Sequence, residues 1–336
     1  MKIAILAPIA WRTPPRHYGP WEQMASNLAE GLVQQGHDVT LFATADSITS
    51  GTLEAVIATG YAEDPQADAK VAECLHISHL MEQAGQFDLL HNHFDFLPLT
   101  YSRLAKTPMV TTIHGFSSPK ILPVFQRYND IGHYVSISKA DRSTLLRYAA
   151  TVYNGVRVED FPFHAQPQDY LLYYGRIHPH KGAHDAIQIA LATGHRLLIA
   201  GIVQDEGYFN EKVKPFIDGE QIVFLGAVGG EKRSELLGNA LALLHPIYFD
   251  EPFGLSVAEA MCCGTPVIAY NRGSMPELIV PGKTGFLVNG LEEAKACVSR
   301  LGDIKRADCN VHALAHFSVA QMVKGYEAVY EGILSR

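Results

Sequence analysis

An arginine and a lysine follow the end of a predicted strand in the segment YYGRIHPHKG, residues 173–182. The apolar run ends at Gly175, Arg176 comes next, and Lys181 precedes a new helical pattern. Open α/β sheets bind ligands beyond the carboxyl ends of their strands. A guanidinium and an ammonium placed there can neutralise a diphosphate. The alternative is a pair of surface cations without a ligand.

Two glutamates occur in the segment FDEPFGLSVAEAMCCGTPVIA, residues 249–269. Glu251 precedes Gly254 in a loop, and Glu259 lies in the helix that we predict to follow, up to about Cys263. Main-chain amides at the start of that helix can bind an anion, while the carboxylates can accept hydrogen bonds from hydroxyls. The pattern therefore indicates a ligand that is both charged and polyhydroxylated. Each glutamate taken alone would more often be a solvated surface acid.

Three histidines are further candidates. His114 ends a predicted strand in TTIHGFSSP, where it can orient a hydroxyl or stabilise developing charge. A structural histidine with satisfied hydrogen bonds is the alternative for it. His91 and His93 match one face of another strand and, with His114, invite a metal interpretation. We disfavour a metal, because Arg176 and Lys181 would already neutralise the phosphates.

These residues need a scaffold, and the chain predicts an α/β one. Short apolar runs alternate with longer helical patterns, which is typical of parallel sheets covered by helices on both faces. We predict a first helix over about residues 21–35, a last helix over residues 319–334, and a domain boundary near residue 156, after the turn signal Asn154-Gly155. The predicted strands are 2–6, 38–42, 89–91, 109–113 and 134–137, then 171–174, 196–200, 222–225, 242–245, 266–269 and 286–288.

The composition and charge of the chain exclude several classes of protein. A chain of 336 residues with 47% hydrophobic and 18% charged residues predicts a folded protein of more than one domain rather than a disordered one. A net charge of −8 argues against a nucleic-acid partner, because phosphate backbones attract basic surfaces. The five cysteines contain no C-x-x-C pair, and no signal peptide or long apolar span is evident. We therefore expect reduced thiols and a cytoplasmic protein.

The basic segment, residues 97–150, departs from this acidic average. It carries 7 basic and 2 acidic side chains, against 4 and 12 in residues 1–96. A weak, peripheral association with acidic lipid head groups, or binding of a phosphorylated acceptor, is one interpretation. The other is a solvated helical face. The cations of the basic segment are Arg103, Lys106, Lys120, Arg127, Lys139, Arg142 and Arg147.

The chain resembles family four of the retaining glycosyltransferases, the glycosyl transferases group 1. The resemblance rests on Glu251-x7-Glu259 in EPFGLSVAEAMCCGTPVIA, on Gly175-Arg176 with Lys181-Gly182, on GSMPELIVPGKTGFLV from Gly273, and on YGPWEQMASNLAEGLVQQGHDVTLFA from Tyr18. It implies the GT-B fold, in which two Rossmann-like domains face each other across a cleft and a C-terminal helix returns to the N-terminal domain. The expected domains are residues 1–155 on the acceptor side, residues 156–316 for the nucleotide-sugar donor, and the returning helix over 317–336.

The resemblance also implies roles in the donor domain. Arg176 and Lys181 hold the diphosphate and stabilise the departing nucleotide. Glu259 binds the ribose hydroxyls, and Glu251 contacts the transferred sugar. Further donor contacts implied in the same way are Gly175, the backbone of Phe253, Gly254 and Leu255, and the surroundings of the base at Ile202, Leu225 and Val228.

In the N-terminal domain the resemblance implies a glycine loop at Tyr18-Gly19-Pro20 that approaches the diphosphate, and it places His114 against the donor sugar. The chain departs from the family pattern here. Many members have Gly-Gly, whereas Pro20 lacks an amide that could bind a phosphate oxygen. Proline in a first helical turn is also a purely structural choice.

The sequence thus predicts a glycosyltransferase of carbohydrate biosynthesis. It would move a sugar from a nucleotide-diphosphate sugar to a hydroxyl acceptor (a sugar, a lipid-linked or a small molecule) with retention at the anomeric carbon and without a metal or other cofactor. The alternatives are a nucleotide-sugar epimerase or disaccharide-phosphate synthase of the same fold, and a non-catalytic nucleotide-sugar binding protein. A dehydrogenase is excluded, because no G-x-G-x-x-G follows the first strand.

Overall fold

The computed structural model describes residues 1–116 and 118–335, which fold into two compact units. The first unit comprises Met1–Gly155 and the chain from Val319 onward, and the second comprises Val156–Ser318. Each unit has its own parallel sheet with helices along the connections between strands. This is the predicted α/β class, with a Rossmann-like arrangement in each unit.

The first unit is built on a parallel sheet that is buried on both faces. Along its first strand, Ile3 and Ile5 pack in one hydrophobic cluster, while Ala4 and Leu6 pack in another. Its strands are β1 (Lys2–Leu6), β2 (Asp38–Phe42), β3 (Thr52–Glu54), β4 (Leu89–Asn92), β5 (Met109–Ile113), β6 (His133–Ser136) and β7 (Tyr148–Thr151), in the order β3-β2-β1-β4-β5-β6-β7. Its helices before the boundary are α1 (Pro20–Gln34), α2 (Ala69–Gln83) and α3 (Leu122–Arg127).

The second unit repeats this plan. Its strands are β8 (Leu171–Tyr174), β9 (Leu197–Ala200), β10 (Ile222–Gly226), β11 (Ala242–His245), β12 (Val267–Tyr270) and β13 (Gly285–Val288), in the order β10-β9-β8-β11-β12-β13. Its helices are α4 (Ala183–Thr193), α5 (Glu206–Tyr208), α6 (Gly230–Asn239), α7 (Leu255–Cys262), α8 (Met275–Leu278), α9 (Leu291–Val298) and α10 (Arg306–Phe317). The strand order reverses at β8 and β11, so the loops that follow these two strands start at the edge where such sheets bind ligands.

The last helix, α11 (Val319–Leu334), packs on the first unit. Gly31 of α1 makes this contact possible, because a Cβ there would lie 2.4 Å from the Val323 side chain. The terminal segment was predicted to start at residue 317, but Phe317 still belongs to the second unit, where its carbonyl accepts a hydrogen bond from the Val156 amide at 2.7 Å. The returning helix of the predicted fold is therefore present and begins at Val319.

The predicted elements leave out two strands of the first unit, whereas the edge strands β10 and β13 of the second sheet were predicted. The patterns miss β3 and β7, which lie at the two edges of the first sheet. Both are short and partly exposed, so they lack the continuous apolar run of a strand buried on both faces. The central strands β1, β2, β5, β8 and β11 have their predicted bounds.

Candidate functional site

The loop after β8 depends on glycines where main chains approach closely. A Cβ on Gly201 would lie 1.8 Å from the Gly175 carbonyl oxygen, and a Cβ on Gly182 would lie 1.9 Å from the Pro246 carbonyl oxygen. Gly182 also has a φ of 69°, which residues with a side chain rarely adopt. The sequence therefore brings the loop that carries Lys181 against the segment that leads to Glu251.

Lys181 and Glu251 form an ion pair at this edge of the second unit. Lys181 Nζ lies 2.5 Å from Glu251 Oε2, and the two side chains are 14% and 16% exposed. The ammonium also lies 4.6 Å from the centre of the Phe249 ring. Two residues that were predicted to contact different parts of one ligand thus contact each other.

The Glu251 loop is held from behind by the GSMPELIV segment. The Ser274 amide donates to the Glu251 carbonyl at 3.0 Å, and the Ser274 hydroxyl donates to the Phe253 carbonyl at 2.6 Å. Gly273 allows this approach, because a Cβ there would lie 2.4 Å from the Glu251 nitrogen. The loop that carries Glu251 is therefore fixed by hydrogen bonds from Ser274 and by the close approach of Gly273.

Helix α7 begins directly after Gly254, which has a φ of 93°. Within the described chain no side chain caps this helix start. The Val257 and Ala258 amides donate to the Gly254 carbonyl, which leaves the amides of Leu255 and Ser256 as donors for a ligand. Phe253, just before this helix, is buried, with its ring against that of Phe317. Main-chain N–H groups and the positive end of a helix dipole are the features that bind anions at a helix start.

Arg176, unlike Lys181, forms no ion pair with Glu251 among the described residues. Its Nη1 donates to Gln204 Oε1 at 2.8 Å, and its carbonyl accepts a hydrogen bond from the Tyr173 hydroxyl at 2.9 Å. The loop position is the predicted one, just beyond Gly175. Its guanidinium is held by a neutral side chain, so its charge is available to an anion.

Glu259 is buried in α7 and is ion-paired with Arg233 of α6. Burial raises the pKa of the Glu259 carboxyl, and the charge of Arg233 opposes that increase. The guanidinium carbon of Arg233 lies 5.1 Å from the centre of the Tyr174 ring and 5.6 Å from that of Phe161. No ion pair or hydrogen bond joins Glu259 to Arg176 or Lys181 in the described residues.

The predicted surroundings of the base are partly exposed. Ile202 is 47% exposed, and Leu225 and Val228 have intermediate exposure. The Tyr174 hydroxyl donates to the Val228 carbonyl at 2.5 Å. Tyr174 therefore contacts both the segment predicted to surround the base and Arg233, the partner of Glu259.

In the first unit, Gly19 directly precedes α1, and Pro20 occupies the first helical position. Glu22 follows in the first turn and accepts a hydrogen bond from the Trp11 amide at 3.3 Å. Burial raises the pKa of Glu22 to about 7.

His114 lies just after β5 and is buried. Its Nε2 lies 2.9 Å from Nδ1 of His93, and its ring stacks on Trp21 with 5.6 Å between ring centres. Burial lowers the pKa of His114 to about 3, so the imidazole is neutral near pH 7. A neutral ring can donate or accept a hydrogen bond but contributes no charge.

His91 is engaged by protein groups on both ring nitrogens. Nδ1 contacts the Tyr330 hydroxyl at 2.6 Å, and Nε2 contacts the Thr112 hydroxyl at 2.8 Å. The Thr112 hydroxyl also contacts the Tyr326 hydroxyl at 2.7 Å. His91 therefore links the sheet to α11, which is a structural role.

The cations of the basic segment are exposed. Arg103 forms an ion pair with Asp130 at 2.9 Å, and the neighbouring Leu104 is 82% exposed. In the part of the chain that the structure describes, no helix has the length and apolarity required to span a membrane. All five cysteines are free thiols.

Two side chains near the second unit's site were not predicted. Arg233 lies in the charged run GGEKRSELL, which resembles a solvated helix face. His245 ends β11 with its Nε2 3.7 Å from Glu251 Oε2, and burial lowers its pKa to about 4. The apolar run ALALLHP gives a strand but no sign that its histidine approaches a carboxylate.

Comparisons with known families agree with this geometry. The family model described as Glycosyl transferases group 1 matches residues 158–306, and the one described as Glycosyltransferase Family 4 matches residues 22–160. Together they span both units. A glycogen synthase from Mycobacterium tuberculosis is 27% identical over 335 residues, covering 82% of this chain and 80% of that protein.

Solved structures give the same result for the fold. AviGT4, a glycosyltransferase involved in avilamycin A biosynthesis, has a TM-score of 0.75 at 23% identity and covers 100% of this chain and 98% of its own. HepE of Anabaena in complex with UDP has a TM-score of 0.74 at 19% identity, covering 99% of this chain and 100% of its own. The predicted GT-B fold is confirmed.

Proposed function

The chain belongs to glycosyltransferase family 4 of the group 1 glycosyl transferases, and from this premise we propose that it transfers its sugar with retention at the anomeric carbon and without a metal ion. As a member it moves a sugar from a nucleotide-sugar donor to an acceptor. The observation that carries the proposal is the Lys181–Glu251 pair beside the uncapped start of α7.

The proposed transfer develops negative charge on the leaving diphosphate. The bond between the anomeric carbon and the β-phosphate oxygen breaks, and its electron pair leaves with the diphosphate. The acceptor oxygen forms its bond on the same face, and its proton passes to a phosphate oxygen of the donor. Fixed cations stabilise the departing charge. Arg176 and Lys181 take this role, with the first amides of α7 as further donors.

Glu251 has a different task. Its Oε2 is bound to Lys181, which fixes the orientation of the carboxylate and leaves Oε1 to accept a hydrogen bond from a sugar hydroxyl. His114 and the Gly19 loop contact the donor from the first unit in this proposal. Because Arg176 and Lys181 neutralise the diphosphate, the reaction has no step that requires a metal.

The stereochemistry tests this proposal directly. UDP-glucose is the first donor to try, because HepE was solved with UDP; GDP-, ADP- and dTDP-sugars follow. Time-resolved proton NMR of the sugar released to water or acceptor should show the α-anomer first from an α-linked donor, at a rate that EDTA does not change. Initial release of the β-anomer, or activity lost in EDTA and restored by Mg²⁺, contradicts the proposal. Replacing Glu251 by Gln and by Ala with near-normal rates in both would refute its role.

We also propose that the basic segment gives weak, peripheral contact with anionic surfaces. Its exposed cations and the exposed Leu104 support this. Sedimentation with vesicles of phosphatidylglycerol and phosphatidylcholine should carry the protein down at low salt and release it at high salt. Equal behaviour with phosphatidylcholine alone would contradict the proposal.

A further inference from the structure

Arg233 differs from an ordinary structural arginine in where its donors point. Arg306 is the comparison within the same unit: its guanidinium donates to the carbonyls of His164, Gly238 and Ala240 and to the Thr265 hydroxyl. Such contacts tie main-chain segments together. Arg233 instead donates to the carboxylate of Glu259, the residue for which the family resemblance implies a contact with ribose.

The environment of Arg233 fixes its guanidinium. The guanidinium lies over the rings of Tyr174 and Phe161, so it makes cation–π contacts as well as an ion pair. Its Nε is buried and has no acceptor among the described residues. The guanidinium therefore has one N–H group that is still free to form a hydrogen bond when a ligand binds beside Glu259.

We propose that Arg233 is a positioning residue that holds Glu259 as an oriented carboxylate for the ribose hydroxyls of the donor, and so sets the preference for ribonucleotides over deoxyribonucleotides. The inference rests on the proposed function, because it assumes that Glu259 faces a nucleotide. Arg233 occupies Oε2 of Glu259, which leaves Oε1 to accept from a hydroxyl. No covalent step is involved.

The charge balance around Glu259 explains why a partner is needed. The titratable groups that act on the Glu259 carboxyl or are influenced by it are Arg233 of α6, Tyr174 of β8, and Cys262 and Cys263 at the end of α7. Of these, only Arg233 is a cation. Ribose hydroxyls donate to a carboxylate, whereas a protonated carboxyl competes as a donor itself.

Removal of Arg233 should therefore make ribose recognition sensitive to pH. Burial already raises the pKa of Glu259, and loss of the opposing cation raises it further. The carboxyl would then protonate at a higher pH than in the parent, and affinity for a ribonucleotide would fall as it protonates. A residue that only supports the fold would lower affinity equally at each pH.

The experiment is calorimetric titration of the full chain with UDP, GDP and ADP and with the 2′-deoxy and 3′-deoxy forms of whichever binds. The variants are Arg233→Gln and Arg233→Lys, and Lys232→Ala is the matched control, since Lys232 is an exposed neighbour on the same helix. We expect Arg233→Gln to reduce the ribose-to-deoxyribose preference at least tenfold, and to lose more affinity than the parent as the pH is lowered. Arg233→Lys should retain part of the preference.

Two outcomes overturn the inference. One is an unchanged preference and pH dependence in Arg233→Gln; the other is an effect of the same size in Lys232→Ala. If Arg233→Gln does not fold, Arg233→Lys and Glu259→Gln decide: the first should show a weaker preference and the second should abolish it. Failure of the parent protein to bind any of the nucleotides would overturn the proposed function itself, which is distinguishable from nucleotide binding with an unchanged preference.

Discussion

Both units place a buried glutamate in a helix that directly follows a glycine, but the charges around the two glutamates differ. In the first unit, Glu22 follows Gly19 and accepts a hydrogen bond from a main-chain amide. In the second, Glu259 follows Gly254 and is ion-paired with Arg233. Their exposed fractions, 3% and 6%, are alike. The difference between them is therefore in the neighbouring charge rather than in burial.

This difference extends to the surroundings of each glutamate. In the first unit burial lowers the pKa of His114, so that its imidazole is neutral, and burial raises the pKa of Glu22 to about 7. In the second unit cations lie beside both Glu251 and Glu259. In the proposed function, the second unit therefore binds the charged part of the donor, and the first contributes neutral hydrogen bonds.

The largest expected effect is on kcat/KM, when a cation of the second unit is removed. Lys181→Ala should lower kcat/KM by a factor on the order of 10² to 10³, or about 2.7–4 kcal/mol, because it removes a fixed cation from the leaving diphosphate. It also leaves Glu251 without its ion-pair partner. Lys181→Arg should retain part of the activity, and Lys232→Ala should leave it unchanged. Initial rates at saturating and limiting donor measure this; parental kinetics in Lys181→Ala would remove Lys181 from the reaction.

Glu22 provides the corresponding test in the first unit, where the measured quantity is the free energy of unfolding. The raised pKa of about 7, against 4.5 for the free side chain, means that the ionised form is penalised in the folded state. That penalty is fully present above about pH 7 and vanishes below about pH 4.5. Glu22→Gln should therefore be more stable than the parent, by on the order of 3 kcal/mol near pH 8, with the difference shrinking toward about pH 5.

Denaturant unfolding of parent and variant at several pH values measures this difference. A difference that does not change with pH would show that the pKa of Glu22 is the same in the folded and unfolded states, and so that burial does not raise it. Glu63→Gln is a suitable control, because Glu63 lies at the surface of the same unit and pairs with Arg16. Exposed pairs of that kind contribute about 0–1 kcal/mol.

How much of each unit the sequence predicts depends on how far apart in the chain the contacting residues lie. Lys181 and Glu251 each carry a local signal, a glycine turn or a helix start, so both were predicted. Their mutual contact, across 70 residues, was not. Arg233 was missed because its run of charges is typical of a solvated helix, and only the tertiary fold brings it to Glu259. Strands with a continuous apolar run were predictable, and these include the edge strands β10 and β13 of the second sheet. The short and partly exposed strands β3 and β7 lack such a run and were not predicted.

A smaller effect is expected in the first unit, where hydrogen bonds between uncharged side chains join the sheet to α11. Tyr330→Phe removes the hydroxyl that contacts Nδ1 of buried His91 at 2.6 Å. An unsatisfied buried nitrogen costs about 1–3 kcal/mol of stability. The melting temperature should fall, while kcat/KM of the folded enzyme stays at the parental value. Tyr128→Phe, at a more exposed hydroxyl, should change neither; a kinetic defect in Tyr330→Phe would place this network in the reaction.

The smallest expected effect concerns His114 and bears most directly on whether the first unit contributes charge. In the proposed function its ring makes a neutral hydrogen bond to the donor sugar, and such bonds contribute about 0.5–1.5 kcal/mol, or roughly threefold to tenfold in kcat/KM. Because the pKa of His114 is about 3, His114→Ala should lower kcat/KM by the same factor across about pH 5.5–8. His316→Ala, an exposed histidine of the second unit, is the control. If an inflection near neutral pH is present in the parent and lost only in His114→Ala, then His114 titrates during turnover, and the contrast between a neutral first unit and a charged second one fails.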